Sequence, residues 1–320
     1  MRPKRWGALL QPPVVLYGRW ETVLMRLCFS VLLWFNLPAF DKFPEQPTPV
    51  GLAAPPLGID FTFVNDPATM AILKTWLLPF LVIYIAGYLR WLPLLYMLGL
   101  SLAVGTLKNS QHGEISHRFQ IISMILMVQC GWHLVCAGRW LYARVSGRRY
   151  QFHHGWNVDR MEVFVSQSAI AAIYLTTAIT KMIRSGGGWL WQIQNVGVDL
   201  QKTWGQDYYN TLSQDAPAWA IWIKDTVTTH PWVAVVIFGP GLLAEFGAVI
   251  GLYGRGKALL VGIALVVLHI GAITVMKLEF EQNIYCLLIF FVNVPFLSLA
   301  GLRWALARSR GRTQSLRSAK

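Results

Sequence analysis

Two neighbouring apolar runs constrain this chain more than any other feature. PWVAVVIFGPGLLAEFGAVIGL occupies residues 231–252 and ALLVGIALVVLHIGAITVM residues 258–276, with a basic turn at Arg255 and Lys257 between them. Each has close to the roughly 20 residues that a helix needs to cross about 30 Å of hydrocarbon. Each also carries an ionisable group inside it, Glu245 in the first and His269 in the second. Such groups are costly in lipid unless they have a partner, a cavity or a proton. The pair therefore specifies an integral membrane protein with a polar interior.

Composition agrees with that class. The chain of 320 residues is 55% hydrophobic and 13% charged, with a mean hydropathy of +0.44, where a soluble domain is about 25% charged. Lys plus Arg outnumber Asp plus Glu by 28 to 15, but in short clusters between apolar runs. That distribution fits membrane orientation and argues against nucleic acid as a partner. Cys28, Cys130, Cys136 and Cys286 lie in or beside apolar segments without metal-ligand spacing. They read as small buried hydrophobes, and no metal site is expected from them.

Eight spans are expected, at about residues 21–39, 70–88, 91–107, 120–137, 161–183, 231–252, 258–276 and 284–304. The fold class is all-α and polytopic, because backbone amides in lipid must be satisfied within each segment and these runs are twice the length of a barrel strand. Arg26 lies near the start of the first span, where it is expected to snorkel. The start, MRPKRW, has no apolar run or small-residue cleavage site at signal-peptide distance. Residues 1–20 then form an N-terminal segment, 21–304 one helical domain, and 305–320 a basic tail expected to lack order. Residues 185–229 are rich in tryptophan and of mixed polarity, in runs too short to cross. They are expected as amphipathic helices at the interface or over a cavity.

With both termini cytoplasmic, the inner segments collect Arg2, Lys4, Arg5 and Arg19, then Arg90, then Arg139, Arg144, Arg148 and Arg149, then Arg255 and Lys257, then the tail. This positive-inside pattern would place the chain in a bacterial inner membrane. The outer rim then receives His112, Glu114, His117, Arg118, Lys181, Arg184, Glu279, Glu281 and Asn283. Glu245 lies roughly 21 Å below the outer start of its span and His269 roughly 18 Å above the inner start of its own, at about 1.5 Å per residue. The two are expected to meet near mid-membrane, below a cavity that opens outward.

Eight spans, YLTTAITKM at the end of the fifth, tryptophans shortly after, a glutamate in the sixth and LHIGAITVMKLEFEQN in the seventh resemble the horizontally transferred transmembrane domain family. That family includes the membrane part of vitamin K-dependent gamma-carboxylase. The resemblance covers about residues 20–300 and implies that Lys181 matches the lysine linked to hydroquinone oxygenation there. Met182 and Arg184 depart from the pattern, and the large lumenal portion that recognises a protein substrate is lacking. The implied substrate is accordingly small, lipid-like or supplied by a partner, and the implied cofactor a quinone.

Each candidate also has a plainer reading. Lys181, Glu245 and His269 are the candidate catalytic residues; Lys181 is alternatively a snorkelling lysine, and His269 alternatively bonds Glu245 to hold the spans together. His117, Trp189 and Asn283 are candidate cofactor contacts. His112 and His117 are five positions apart, a poor spacing for one helical face, so outer-loop structure is the default for them. His153 and His154 lie in a basic loop and read as solvated. GGG at 186–188 lacks the lysine-serine end and the strand of a phosphate loop and reads as a turn. Three functions stay open: a quinone- or lipid-dependent enzyme, a noncatalytic subunit of a membrane complex, and a proton-coupled transporter, the last without a visible inverted repeat.

Overall fold

The computed structural model describes residues 17–37, 61–112, 117–147, 158–212 and 217–318, and all regular structure among them is helical. In chain order the helices are α1 (Arg19–Asn36), α2 (Pro67–Ala86), α3 (Trp91–His112), α4 (His117–Val145), α5 (Val158–Arg184), α6 (Trp189–Gln192), α7 (Val196–Thr211), α8 (Ala218–Thr229), α9 (Pro231–Gly247), α10 (Arg255–Met276), α11 (Glu281–Phe290) and α12 (Val294–Ser318). Glu114, Arg148, Arg149, His153 and His154 lie outside the described residues, as do the side chains of His112, His117 and Arg118.

Local chemistry sets the ends of these helices. Asp66 caps α2 by accepting from the Thr69 amide at 2.8 Å and from its hydroxyl at 2.6 Å, with Pro67 in the first turn, where a missing amide costs nothing. Those bonds hold the Asp66 carboxyl below the usual carboxylate range. Gly87, left-handed at φ 84°, ends the helix. The end of α5 is a Schellman turn: the Gly187 amide donates to the Met182 carbonyl at 2.8 Å and the Gly186 amide to that of Ile183 at 3.1 Å. Both glycines have positive φ, the backbone that a glycine adopts without a Cβ penalty.

Five helices are long and apolar enough to cross a membrane: α2, α4 (from Phe119), α5, α9 with its 3-10 extension to Tyr253, and α10. α11 and α12 count as a sixth when taken together, bent by 50°. The protein is an all-α, polytopic, integral membrane protein. Of the eight expected spans, the other two are α3, whose apolar part is Trp91–Leu107, and α1, which carries Arg19, Glu21 and Arg26 within 18 residues. Large apolar side chains such as Trp76, Val82, Val236, Leu243, Leu260 and Val267 are exposed on α2, α9 and α10, as lipid-facing surfaces require.

Three expectations need correction. The eighth span is broken at Phe291–Asn293; the Gln167 side chain donates to the Phe290 carbonyl at 2.7 Å and so satisfies an acceptor freed by the break. The tail does not leave the helix, since α12 continues to Ser318. Arg26 does not snorkel, being only 6% exposed. Its guanidinium reaches Asp159 of α5 at 3.2 Å and Glu162 at 3.9 Å. Arg90, in the α2–α3 turn, pairs with both acids, at 2.6 Å from Asp159, and His133 of α4 meets Glu162 at 3.0 Å. One turn deeper, Gln129 donates to Ser166 at 2.8 Å and accepts from Tyr84 at 2.9 Å. Four spans are tied together in this way at the end of the bundle where α5 begins. Beside it, Arg255 grips both oxygens of Glu21, at 2.7 and 2.9 Å, joining α10 to α1.

The apolar core fills the space between these ties, with Phe29 and Leu33 of α1, Tyr84 of α2, Met97 of α3, Ile122 of α4 and Ile170 of α5 in one cluster. α10 and α11 close it from the other side through Leu265 and Leu287. What this arrangement leaves unfilled is a space at the opposite end of the bundle, where α5 ends and α9 and α11 begin.

Candidate functional site

One stripe of α5 begins the site. Tyr174, Thr177 and Lys181 follow at intervals of three and four residues, which aligns them on one helical face. The Schellman turn then sends the chain back so that Trp189 lies over Lys181, its ring centroid 5.3 Å from the ammonium. The lysine meets Glu245 of α9, with Nζ at 2.6 Å from Oε1 and 2.8 Å from Oε2. The carboxylate side chain is 6% exposed and the lysine side chain 33%. The charge in α9 is thus paired inside the bundle, and Lys181 reaches toward open space.

Two turns deeper along α5, the Tyr174 hydroxyl lies 2.6 Å from Nε2 of His269. His269 is buried on α10, and the ring of Phe280 packs against its imidazole at 4.7 Å between centroids. Asn283 of α11 is a hydrogen-bonding neighbour of the same hydroxyl. Lys181, Glu245, His269, Trp189, Asn283 and Tyr174 all line one cavity of about 620 Å³. Its other walls are mostly apolar, among them Ile173, Phe238, Leu242, Leu268, Met276 and Phe280. Gln192, Ile193, Val196 and Asp199 contribute the side formed by the segment after α5, so part of the tryptophan-rich region expected at the interface covers this cavity.

Glu245 and His269 share the cavity, but the hydrogen bonds found for them go elsewhere, to Lys181 and to Tyr174. The reason is geometric. Taking Pro231 as the outer boundary places Glu245 about 21 Å deep, yet the first half of α9 stands beside α6 and the 3-10 turn Ile193–Asn195, past the end of α5. A Cβ built on Gly239 would lie 3.5 Å from the Leu190 side chain. The descent along α9 therefore brings Glu245 only to the level of Lys181, one turn from the end of α5.

Glu245 holds the Lys181 ammonium with both carboxylate oxygens, an arrangement that suits an electrostatic role. The group better arranged for proton transfer is His269, whose ring is fixed by Tyr174 and Phe280. Tyr174 is the functional candidate that the sequence reading missed. Its signal was present, since it lies seven positions before Lys181 on the same face. The side chain of His117 is outside the described residues, so the structure does not join it to the site. Among the described residues no group of three or more His, Cys, Asp or Glu side chains is placed to hold a metal ion.

Comparison with known proteins adds no relative: no family model, curated protein or solved structure matches the chain.

Proposed function

We propose that this membrane protein binds a small lipid-like molecule, such as a quinone in its reduced, quinol form, in the cavity between α5, α9, α10 and α11, and that His269 with Tyr174 serves proton transfer to or from it. The observation that carries this reading is the lining itself. A volume of about 620 Å³ with mainly apolar walls, on which a Lys–Glu pair and a Tyr–His pair converge from three helices, has the make-up of a ligand pocket. The apolar walls suit a tail, the polar groups a head. The positive-inside pattern would make this the outer side of a bacterial inner membrane, with both termini cytoplasmic. The resemblance to the gamma-carboxylase membrane domain points to the same lysine and to the same kind of ligand, with Lys181 here as an electrostatic anchor.

The test compares wild type with Lys181→Met and Lys181→Arg, each purified in mild detergent, by mass spectrometry of the lipids that stay bound. The reading expects a defined species on the wild type that Lys181→Met loses and Lys181→Arg keeps, because the arginine retains the charge paired with Glu245. Equal retention by all three proteins, or bulk membrane lipid alone on the wild type, would remove Lys181 from a binding site.

A further inference from the structure

We infer that the cavity selects an amphiphile whose head is an uncharged, hydroxyl-bearing group and discriminates against carboxylate and phosphate heads. This rests on the reading of the cavity as a lipid-like binding site and names the chemistry of its ligand. Among the described residues the lining contains one ammonium, Lys181, two carboxylates, Glu245 and Asp199, and one imidazole, His269. Glu245 takes the lysine with both oxygens, at 2.6 and 2.8 Å, and so cancels it within the wall. Asp199 is exposed, in the first turn of α7, where water screens it. Among the described residues the lining offers an anionic head no ammonium or guanidinium that is not already paired, and the head would lie beside the Glu245 carboxylate.

The same groups do serve a neutral hydroxyl. A lysine ammonium has three N–H donors, and the carboxylate engages Lys181 through two contacts, which leaves a third N–H for a ligand oxygen. One turn below on the same stripe, the Thr177 hydroxyl donates to the Ile173 carbonyl at 2.9 Å. Its proton is thereby committed and its oxygen lone pairs are left to accept. A hydroxyl can accept from Lys181 and donate to Thr177 at once. An ionised carboxylate or phosphate ester could also accept that N–H, but it has no proton to give Thr177 and would lie beside the Glu245 carboxylate, and a cationic amine would meet the lysine at the same point. The apolar walls of Phe238, Leu242, Leu268 and Met276 take up the tail.

Matched lauryl probes isolate the head group. Tritiated glycerol monolaurate is bound to the detergent-purified full chain at neutral pH and displaced by unlabelled glycerol monolaurate, lauryl phosphate or laurylamine in a scintillation proximity assay. The glycerol ester should compete at about tenfold lower concentration than the phosphate or the amine, a difference of one decade in Kd. Glu245→Gln uncovers the lysine charge and should close that gap for the phosphate by about tenfold. The double variant Lys181→Met with Glu245→Gln should show no such gain. Equal or stronger displacement by lauryl phosphate from the wild type would overturn the inference while leaving the binding reading intact, as would laurylamine being the strongest competitor. No saturable binding of the glycerol ester, with none of the probes retained, would instead defeat the binding reading itself. Should Glu245→Gln fail to fold, the ranking on the wild type decides alone.

Discussion

Removing the charge of Glu162 should destabilise the protein far more than removing a charge from its surface. Glu162 is 3% exposed on α5 and pairs with Arg90 and His133, with Arg26 at 3.9 Å. Glu162→Gln keeps the shape but leaves two guanidiniums, with side chains 6% and 13% exposed, to share Asp159. Breaking a buried pair by removing one partner costs about 3–5 kcal/mol, because the desolvated charge that stays behind has lost its match. At roughly 2–4 °C per kcal/mol for a chain of a few hundred residues, the midpoint of thermal unfolding should fall by about 6–20 °C. The contrasting variant is Asp225→Asn, which breaks an ion pair with Lys224 at 3.1 Å in which the acid is 62% exposed. An exposed pair of that kind contributes about 0–1 kcal/mol. The assay is unfolding in detergent followed with a thiol-reactive fluorophore, since Cys130 and Cys286 are free and buried and react once the core opens. Glu162→Gln together with Arg90→Gln should cost less than the sum of the two single changes, because each removes the other's unmatched partner. A fall of no more than about 2 °C for Glu162→Gln, equal to that of Asp225→Asn, would refute the reasoning.

Two further outcomes follow from packing and orientation. A Cβ on Gly262 would lie 2.9 Å from the Phe291 Cβ and 3.0 Å from the Val292 amide nitrogen, against a chain break that cannot withdraw, whereas one on Gly241 meets only the end of the Leu268 side chain at 2.6 Å; Gly262→Ala should therefore cost about 1–3 kcal/mol and Gly241→Ala clearly less, measured by the same unfolding assay. Reporter fusions after Lys108 and Ser185 should report the outer face and fusions after Arg148 and Arg255 the cytoplasm, and a cytoplasmic signal from both of the first pair would contradict the positive-inside orientation.

The spans were legible because hydropathy and length act on each segment separately: the runs around Glu245 and His269 fold as α9 and α10 where the apolar residues require. The partners of buried charges were not legible in the same way. Arg26 looks like a snorkelling residue within its own helix, and only the packing of α1 against α5 reveals Asp159 and Glu162 across from it. Depth was misjudged for a related reason. Counting residues from Pro231 assumes that every helix starts at one plane, and α9 starts above α5 beside Trp189 to Asn195. Tyr174 lay within reach of helical periodicity from Lys181, but its link to His269 depends on how α5 and α10 turn toward each other. The bend between α11 and α12 was marked in the sequence only by Asn293, which adopts a left-handed backbone at φ 58°, and by Pro295, which has no amide to carry one helix through the break.

The claim on which the rest depends is that a distinct lipid-like molecule occupies the cavity under α6 and α7. Benzoylphenylalanine placed at Thr177, on the cavity wall, and at Val236, 62% exposed on the outside of α9, can be photoactivated in native membranes and the adducts weighed by mass spectrometry. The account predicts one defined, neutral-headed adduct at Thr177 and a mixture of bulk phospholipids at Val236. The same bulk mixture at both positions, or no adduct at Thr177 while Val236 crosslinks well, would contradict it.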